Sequence, residues 1–199
     1  AGVPAGVINI LSGGPEVGQR LVEHPDVDKV SFTGGTETGR RIMEVAARTL
    51  KSVHLELGGK SPNVIFADAD LGKAAMGAVM ACFAMTGQAC IAGSRLFVEE
   101  SVHDTIVERV TAIAAGLRVG DPMEADTMLG PLISAKQLAN AERYVASGTK
   151  AGARLVSGGK RPAAAPAGGY FLEPTVFVDV APEMEIARDE IFAPVLSVF

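Results

Sequence analysis

Short apolar runs closed by glycines alternate with helix-patterned stretches along almost the whole chain, and this alternation confines it to an α/β fold with parallel strands. Val7 to Leu11, closed by Gly13-Gly14-Pro15, reads as a buried strand and a turn, and a short helix follows through Val22. Lys29 to Thr33 is the next strand; after Gly34-Gly35, Thr36 is expected to cap a helix running to about Leu50, with Ile42, Val45, Ala46 and Leu50 on one face. Val53 to Leu57, Asn63 to Phe66 and Arg95 to Val98 are further strands. Between the last two, an Ala- and Met-rich helix runs from Asp70 toward Thr86 and breaks at Gly87. Ser101 is expected to cap a helix to about Leu117, and Ala135 to Ser147 forms another. Residues 163–169 form a small-residue loop, and Tyr170 to Val180 and Pro194 to Phe199 are β-rich.

Bulk properties narrow the function classes. A net charge of −5 supplies no field for nucleic acid or an anionic membrane. The longest apolar stretch, Ala74 to Met85, falls short of the about 20 residues a bilayer span needs. Cys82 and Cys90, on one continuous helix, would stand about 12 Å apart, too far for a disulfide. There is no CxxC or HExxH pattern and the three histidines are scattered, so no metal site is expected. The start lacks a basic signal region and the end reads as an interrupted strand, which suggests a piece of a longer, cytoplasmic protein.

Three places carry chemistry. Gly34-Gly35-Thr-Glu-Thr-Gly39 joins a strand to a helix; such glycines either let backbone N–H groups approach a phosphate, or serve a tight turn that needs positive φ. Cys90 follows a Gly-Gln break and is flanked by small residues, which would expose its thiol beside N–H groups able to hold an oxyanion. Cys82 instead fits a buried structural cysteine. Glu56 lies on the strand face opposite Leu55 and Leu57; a carboxylate there is either a general base shifted by apolar neighbours or a paired edge-strand acid with a partner such as Lys60.

Four segments in order carry a family resemblance. Glu56-Leu-Gly-Gly-Lys-Ser-Pro-Asn63 resembles the glutamate signature of the aldehyde dehydrogenase superfamily, and Phe83 to Arg95, with Gly87-Gln88-x-Cys90, resembles its cysteine signature. Phe32-Thr-Gly-Gly-Thr-Glu-Thr-Gly39 is similar to the family's cofactor loop, and Glu190-Ile-Phe-Ala-Pro194 to its Glu-x-Phe-Gly-Pro segment. The resemblance covers essentially the whole chain.

It implies the end of a Rossmann-type dinucleotide-binding domain over residues 1–57, followed by a truncated α/β catalytic domain over residues 58–199. Cys90 would be the nucleophile, Glu56 the base that activates water on the thioester, and NAD or NADP the cofactor. Gly34 and Gly35 would line the cofactor's approach, Glu190 would hold the nicotinamide ribose, and Phe192 would pack beside the nicotinamide. Without the family, Glu190 would read as one of a solvated charge cluster, Phe192 as a core aromatic, and Lys60 or Arg95 as a surface or paired cation. The implied partners are an aldehyde and, at full length, further copies in a homodimer or homotetramer.

The sequence departs from the pattern at Ala193, where the family usually has glycine. The family's oxyanion-hole asparagine, its adenosine-ribose residues and its C-terminal segment fall outside the chain, so residues 1–199 alone are expected to be weakly active or inactive. Competing readings are a CoA-acylating dehydrogenase, an esterase or thioesterase using the same nucleophile, and a non-catalytic protein that keeps the fold; Glu56 favours water as the acyl acceptor.

Overall fold

The computed structural model describes residues 2–199. The chain divides into two compact units, Ala1–Gly58 and Gly59–Phe199.

The first unit contains α1 (Pro15–Glu23), β1 (Lys29–Thr33), α2 (Thr36–Ala46) and β2 (Ser52–Glu56). β1 and β2 pair in parallel, with Thr33 opposite Glu56. Gly39, Ile42 and Ala46 are the buried residues of the α2 face that packs inward. The helix does not run to Leu50: a 3-10 turn follows Ala46, and Leu50 adopts φ +56° and is 91% exposed. Its N-cap is Gly35, so the capping expected of Thr36 falls one residue earlier. The run Val7 to Leu11 is not a strand. Among the described residues no neighbouring strand completes its backbone hydrogen bonds, and its apolar side chains are exposed.

The second unit is a five-stranded sheet in the order β3-β4-β7-β6-β5, built from β3 (Pro62–Ile65), β4 (Arg95–Val98), β5 (Arg154–Ser157), β6 (Thr175–Val178) and β7 (Val195–Val198). Every pairing is parallel except β5 with β6. The expected α/β class therefore holds, and the antiparallel edge strand β5 is an element the sequence reading did not assign.

Helices cover both faces: α3 (Leu71–Phe83) and α4 (His103–Gly116) on one, α5 (Ala135–Lys150) and the single-turn α6 (Glu185–Arg188) on the other. Ala75, Ala78, Val79 and Cys82 recur at helical spacing on α3, as Ile106, Val110 and Ala114 do on α4. The paired strands β6 and β7 show why their segments read as largely apolar runs. Val176, Val178, Leu196 and Val198 enter the α3/α4 core, while Phe177 and Val195 enter the α5/α6 core. Ser197, buried between them, donates its hydroxyl to the Ile186 carbonyl at 3.0 Å, so its burial leaves no orphan oxygen.

Asp70 caps α3 by accepting from the Gly72 and Lys73 N–H groups, and those bonds hold its carboxyl below the usual range. α4 begins at His103 after a short 3-10 turn that contains Ser101; the Ser101 hydroxyl donates to Glu99 instead of capping the helix. No helix among the described residues is long and apolar enough to cross a membrane.

Candidate active site

In the first unit the carboxyl ends of β1 and β2 bring the glycine loop and the glutamate to the same edge. The Gly34 N–H donates to the Glu56 carbonyl at 3.0 Å. Neither Gly34 nor Gly35 has positive φ, so the turn does not require glycine on conformational grounds. A Cβ on Gly35 would meet nothing within 4 Å, and the α2 N-terminus has no side-chain cap. The loop is therefore open above a helix start whose first N–H groups are uncommitted, the chemistry a phosphate accepts.

Gly39 has a different purpose. A Cβ there would stand 2.7 Å from Leu57 Cδ2, so its absence lets α2 lie close on the strand that carries Glu56. Leu55 and Leu57 face the helix, and Glu56 points the other way, as strand alternation predicts. Its carboxylate is 63% exposed, with His54 Nε2 3.5 Å from Oε1.

In the second unit three segments meet: Gly59-Lys60, the loop from Ala84 to Arg95, and Glu190 to Val195. α3 ends at Phe83, earlier than the sequence suggests, and Met85, Thr86 and Gly87 follow with φ of +52°, +59° and +68°. This left-handed run turns the chain out of the helix, and the Ala92 N–H closes a turn on the Ala89 carbonyl at 3.1 Å with Cys90 at its tip. Cys90 is exposed, whereas Cys82 is fully buried, and burial pushes its thiol up to about 12. The two cysteines thus separate as expected, although Cys90 sits on a turn and not on a continued helix.

Two glycines allow backbone to lie on backbone around this turn. A Cβ at Gly59 would stand 2.6 Å from the Cys90 carbonyl oxygen, and one at Gly87 would overlap the Ala193 carbonyl. Any larger residue at either place has to displace main chain. Ala193 itself is buried, so its extra methyl is accommodated in the α5/α6 core.

Glu190 is half-buried, and its Oε1 accepts the Gly59 N–H at 3.2 Å. That bond takes it out of the charge cluster expected by default; its neighbour Asp189 accepts from the Tyr144 hydroxyl at 3.1 Å. Glu190 Oε2 has no hydrogen-bond donor among the described residues. Phe192 is 38% exposed at φ +56°, a ring presented on a left-handed turn and not packed in the core.

Lys60 is neither a surface cation nor a paired one. Its carbonyl accepts from Arg95 Nε at 2.8 Å, but its Nζ is buried with no hydrogen-bond partner among the described residues. Burial pulls its ammonium down to about 8 from the ordinary 10.5, partly offset by the nearby Asp189 and Glu190 carboxylates. The unfolded chain therefore holds this proton more tightly, and stability rises with pH between about 8 and 10.5 as the buried charge is lost. Lys60→Met is expected to stabilise the protein by about 3 kcal/mol at neutral pH, an advantage that shrinks toward zero across that window. Urea midpoints of both proteins along the pH series give the readout. An advantage independent of pH would show that burial of the charge is not its source.

Glu190, Phe192, Cys90 and Gly59 therefore come together in the second unit, and Gly34, Gly35 and Glu56 in the first. Sequence reasoning missed Lys60 Nζ as a buried group, and it missed Gln88 and Gln137. Gln88 Oε1 accepts the Ile133 N–H at 3.0 Å, and Gln137 Nε2 donates to the Ile191 and Phe192 carbonyls at 2.8 Å each.

Comparison with known proteins places these features in context. The model of the aldehyde dehydrogenase family matches residues 1–199. A betaine aldehyde dehydrogenase from Rhizobium etli is 46% identical over 198 residues, an alignment that covers 100% of this chain and 41% of that protein. The crystal structure of an NAD-dependent aldehyde dehydrogenase from Sinorhizobium meliloti superposes with a TM-score of 0.96 at 45% identity, covering 100% of this chain and 39% of that one. The NAD+ complex of an aldehyde dehydrogenase from Bacillus cereus gives a TM-score of 0.90 at 45% identity, covering 94% of this chain and 38% of its own. The chain spans about two fifths of the length of these relatives.

Proposed function

We propose, from the premise that this chain belongs to the aldehyde dehydrogenase family, that the whole protein oxidises an aldehyde to a carboxylic acid with NAD+ or NADP+. The observation that carries the reading is Cys90: the exposed thiol of the two, held at the tip of a turn whose carbonyl is backed by Gly59.

The Cys90 thiolate adds to the aldehyde carbon and forms a C–S bond, giving a thiohemiacetal whose oxyanion the Cys90 N–H helps to hold. When bound, the nicotinamide cofactor supplies the acceptor for the hydride leaving that carbon. The oxidised carbon stays on sulfur as a thioester. Glu56 then takes a proton from water, the water oxygen adds to the thioester carbon, and the C–S bond breaks to release the acid and restore the thiol.

The residues present fit the cofactor. Glu190 has one oxygen committed to Gly59 and one open to ribose hydroxyls, and the exposed Phe192 ring offers an apolar face to the nicotinamide. In the first unit, Gly35 leaves the uncapped start of α2 open to the pyrophosphate, and Gly34 lets the loop that leads to it pass against the Phe32 ring. We take the first unit as the end of the dinucleotide-binding domain and the second as the nucleophile domain. The aldehyde is the small-molecule partner. Two unpaired thiols suit the reducing cytoplasm. The exposed Val64 and Phe66 at edge strand β3 suit assembly of the whole protein into a homodimer or homotetramer.

Full-length protein mixed with an aldehyde panel and either cofactor is expected to form reduced cofactor and carboxylic acid in equal amounts. Acid without reduced cofactor would identify a hydrolase, and turnover that requires coenzyme A would identify an acylating enzyme. No product and no reduced cofactor from any aldehyde would leave a non-catalytic protein.

A further inference from the structure

Phe192 takes a backbone conformation that residues with a Cβ seldom adopt, so something must hold it there. The two peptide planes flanking its Cα carry the Ile191 and Phe192 carbonyls; rotation about φ turns the first plane and rotation about ψ the second. Gln137 Nε2 lies 2.8 Å from both oxygens. Two carbonyls can only accept, so the amide must present its NH2 group, one hydrogen to each. A single nitrogen thereby fastens both planes and with them both dihedral angles of Phe192.

The fastening is itself anchored. Gln137 lies in the first turn of α5, where its backbone N–H donates to the Ser134 hydroxyl at 3.2 Å. One residue before that cap, the Ile133 N–H donates to Gln88 Oε1, two positions from Cys90. The start of α5 thus grips the Phe192 turn through Gln137 and the nucleophile loop through Gln88. On its other side the Phe192 turn lies against Gly87 through the Ala193 carbonyl.

We propose that Gln137 is a positioning residue for the cofactor, which acts by clamping the carbonyls on either side of Phe192 and so aiming its ring. This rests on the reading that Phe192 borders the nicotinamide.

The test uses the full-length enzyme with Gln137→Met, Gln137→Glu, Phe192→Ala and the Gln137→Met/Phe192→Ala double variant. Both Gln137 variants keep the length of the side chain and lose the two donated hydrogens. Each is expected to raise KM for the nicotinamide cofactor about tenfold, with KM for the aldehyde unchanged and the thermal midpoint lowered by no more than the loss of the two hydrogen bonds accounts for. The double variant is expected to match Phe192→Ala alone, because the clamp has no ring left to aim. If Phe192→Ala changes cofactor KM and Gln137→Met does not, the positioning role is wrong while the reading of Phe192 stands. If Phe192→Ala itself leaves cofactor KM unchanged, the reading of Phe192 fails and the proposal fails with it. A lowered thermal midpoint with unchanged cofactor KM, or a double variant worse than Phe192→Ala by the full Gln137 factor, also overturns it.

Discussion

Cys90→Ala in the full-length protein is expected to reduce acid formation by about 10⁴-fold or more while cofactor affinity stays within about twofold of the parent. The size of the loss follows from the chemistry. Without sulfur no covalent adduct forms, and no other nucleophile stands at that turn. Ala92 and Gly93 carry no heteroatom in their side chains, and the only other thiol is buried under the sheet, where Cys82 Sγ lies 3.6 Å from the Val195 carbonyl. The retained cofactor affinity follows from the groups proposed to hold it, which are Glu190, Phe192 and the glycine loop; none depends on the Cys90 side chain. Cys82→Ala provides the contrast. It opens space in the α3/α4 core and is expected to lower stability by about 1–2 kcal/mol with turnover per folded molecule preserved. Iodoacetamide should modify Cys90 long before Cys82, whose thiol burial holds protonated. Acid formation by Cys90→Ala above about a hundredth of the parent rate would move the nucleophile elsewhere.

What the sequence made legible, and what it hid, divides along physical lines. Alternating strand and helix patterns gave the α/β class because burial on both faces of β6 and β7 favours largely apolar runs. Cys90 and Glu56 stood out because reactive side chains sit among glycines that no core requires. The failures are those of tertiary context. Val7 to Leu11 has the composition of a strand but no neighbour to pair with among the described residues. β5 is short and half-exposed, with too little apolar patterning to announce itself. Thr36 and Ser101 are good capping residues set one position away from the actual N-caps, Gly35 and Val102.

Backbone conformation was the least legible layer. Of the two readings open for Gly34 and Gly35, the positive-φ turn is not the one they adopt, whereas Met85, Thr86 and Phe192 take positive φ with nothing in their chemistry to predict it. Such positions depend on partners remote in sequence: the Thr86 hydroxyl donates to the Gly130 carbonyl, and Phe192 is held by Gln137. A glutamine on a helix and a lysine after two glycines look like solvent-facing residues until the fold brings carbonyls to one and hydrocarbon to the other.

Glu56→Gln separates formation of the thioester from its hydrolysis, and the full-length variant is expected to show a burst. One equivalent of reduced cofactor per active thiol should appear at close to the parent rate, after which steady-state acid release proceeds about 10²- to 10⁴-fold more slowly. Glutamine keeps the shape of the side chain and loses its charge and its ability to take a proton from water. The structure gives two reasons to expect a clean result. Glu56 lies on the strand face opposite Leu55 and Leu57, and those leucines, not the carboxylate, make the packing against Gly39. The carboxylate is also mostly exposed beside His54, so its replacement should change stability by no more than about 0.5 kcal/mol. The trapped species can be weighed: intact mass should rise by an acyl group on the Cys90 peptide and fall back when hydroxylamine cleaves the thioester. Steady-state acid release equal to the parent's, with no burst and no acylated peptide, would assign the base to another residue.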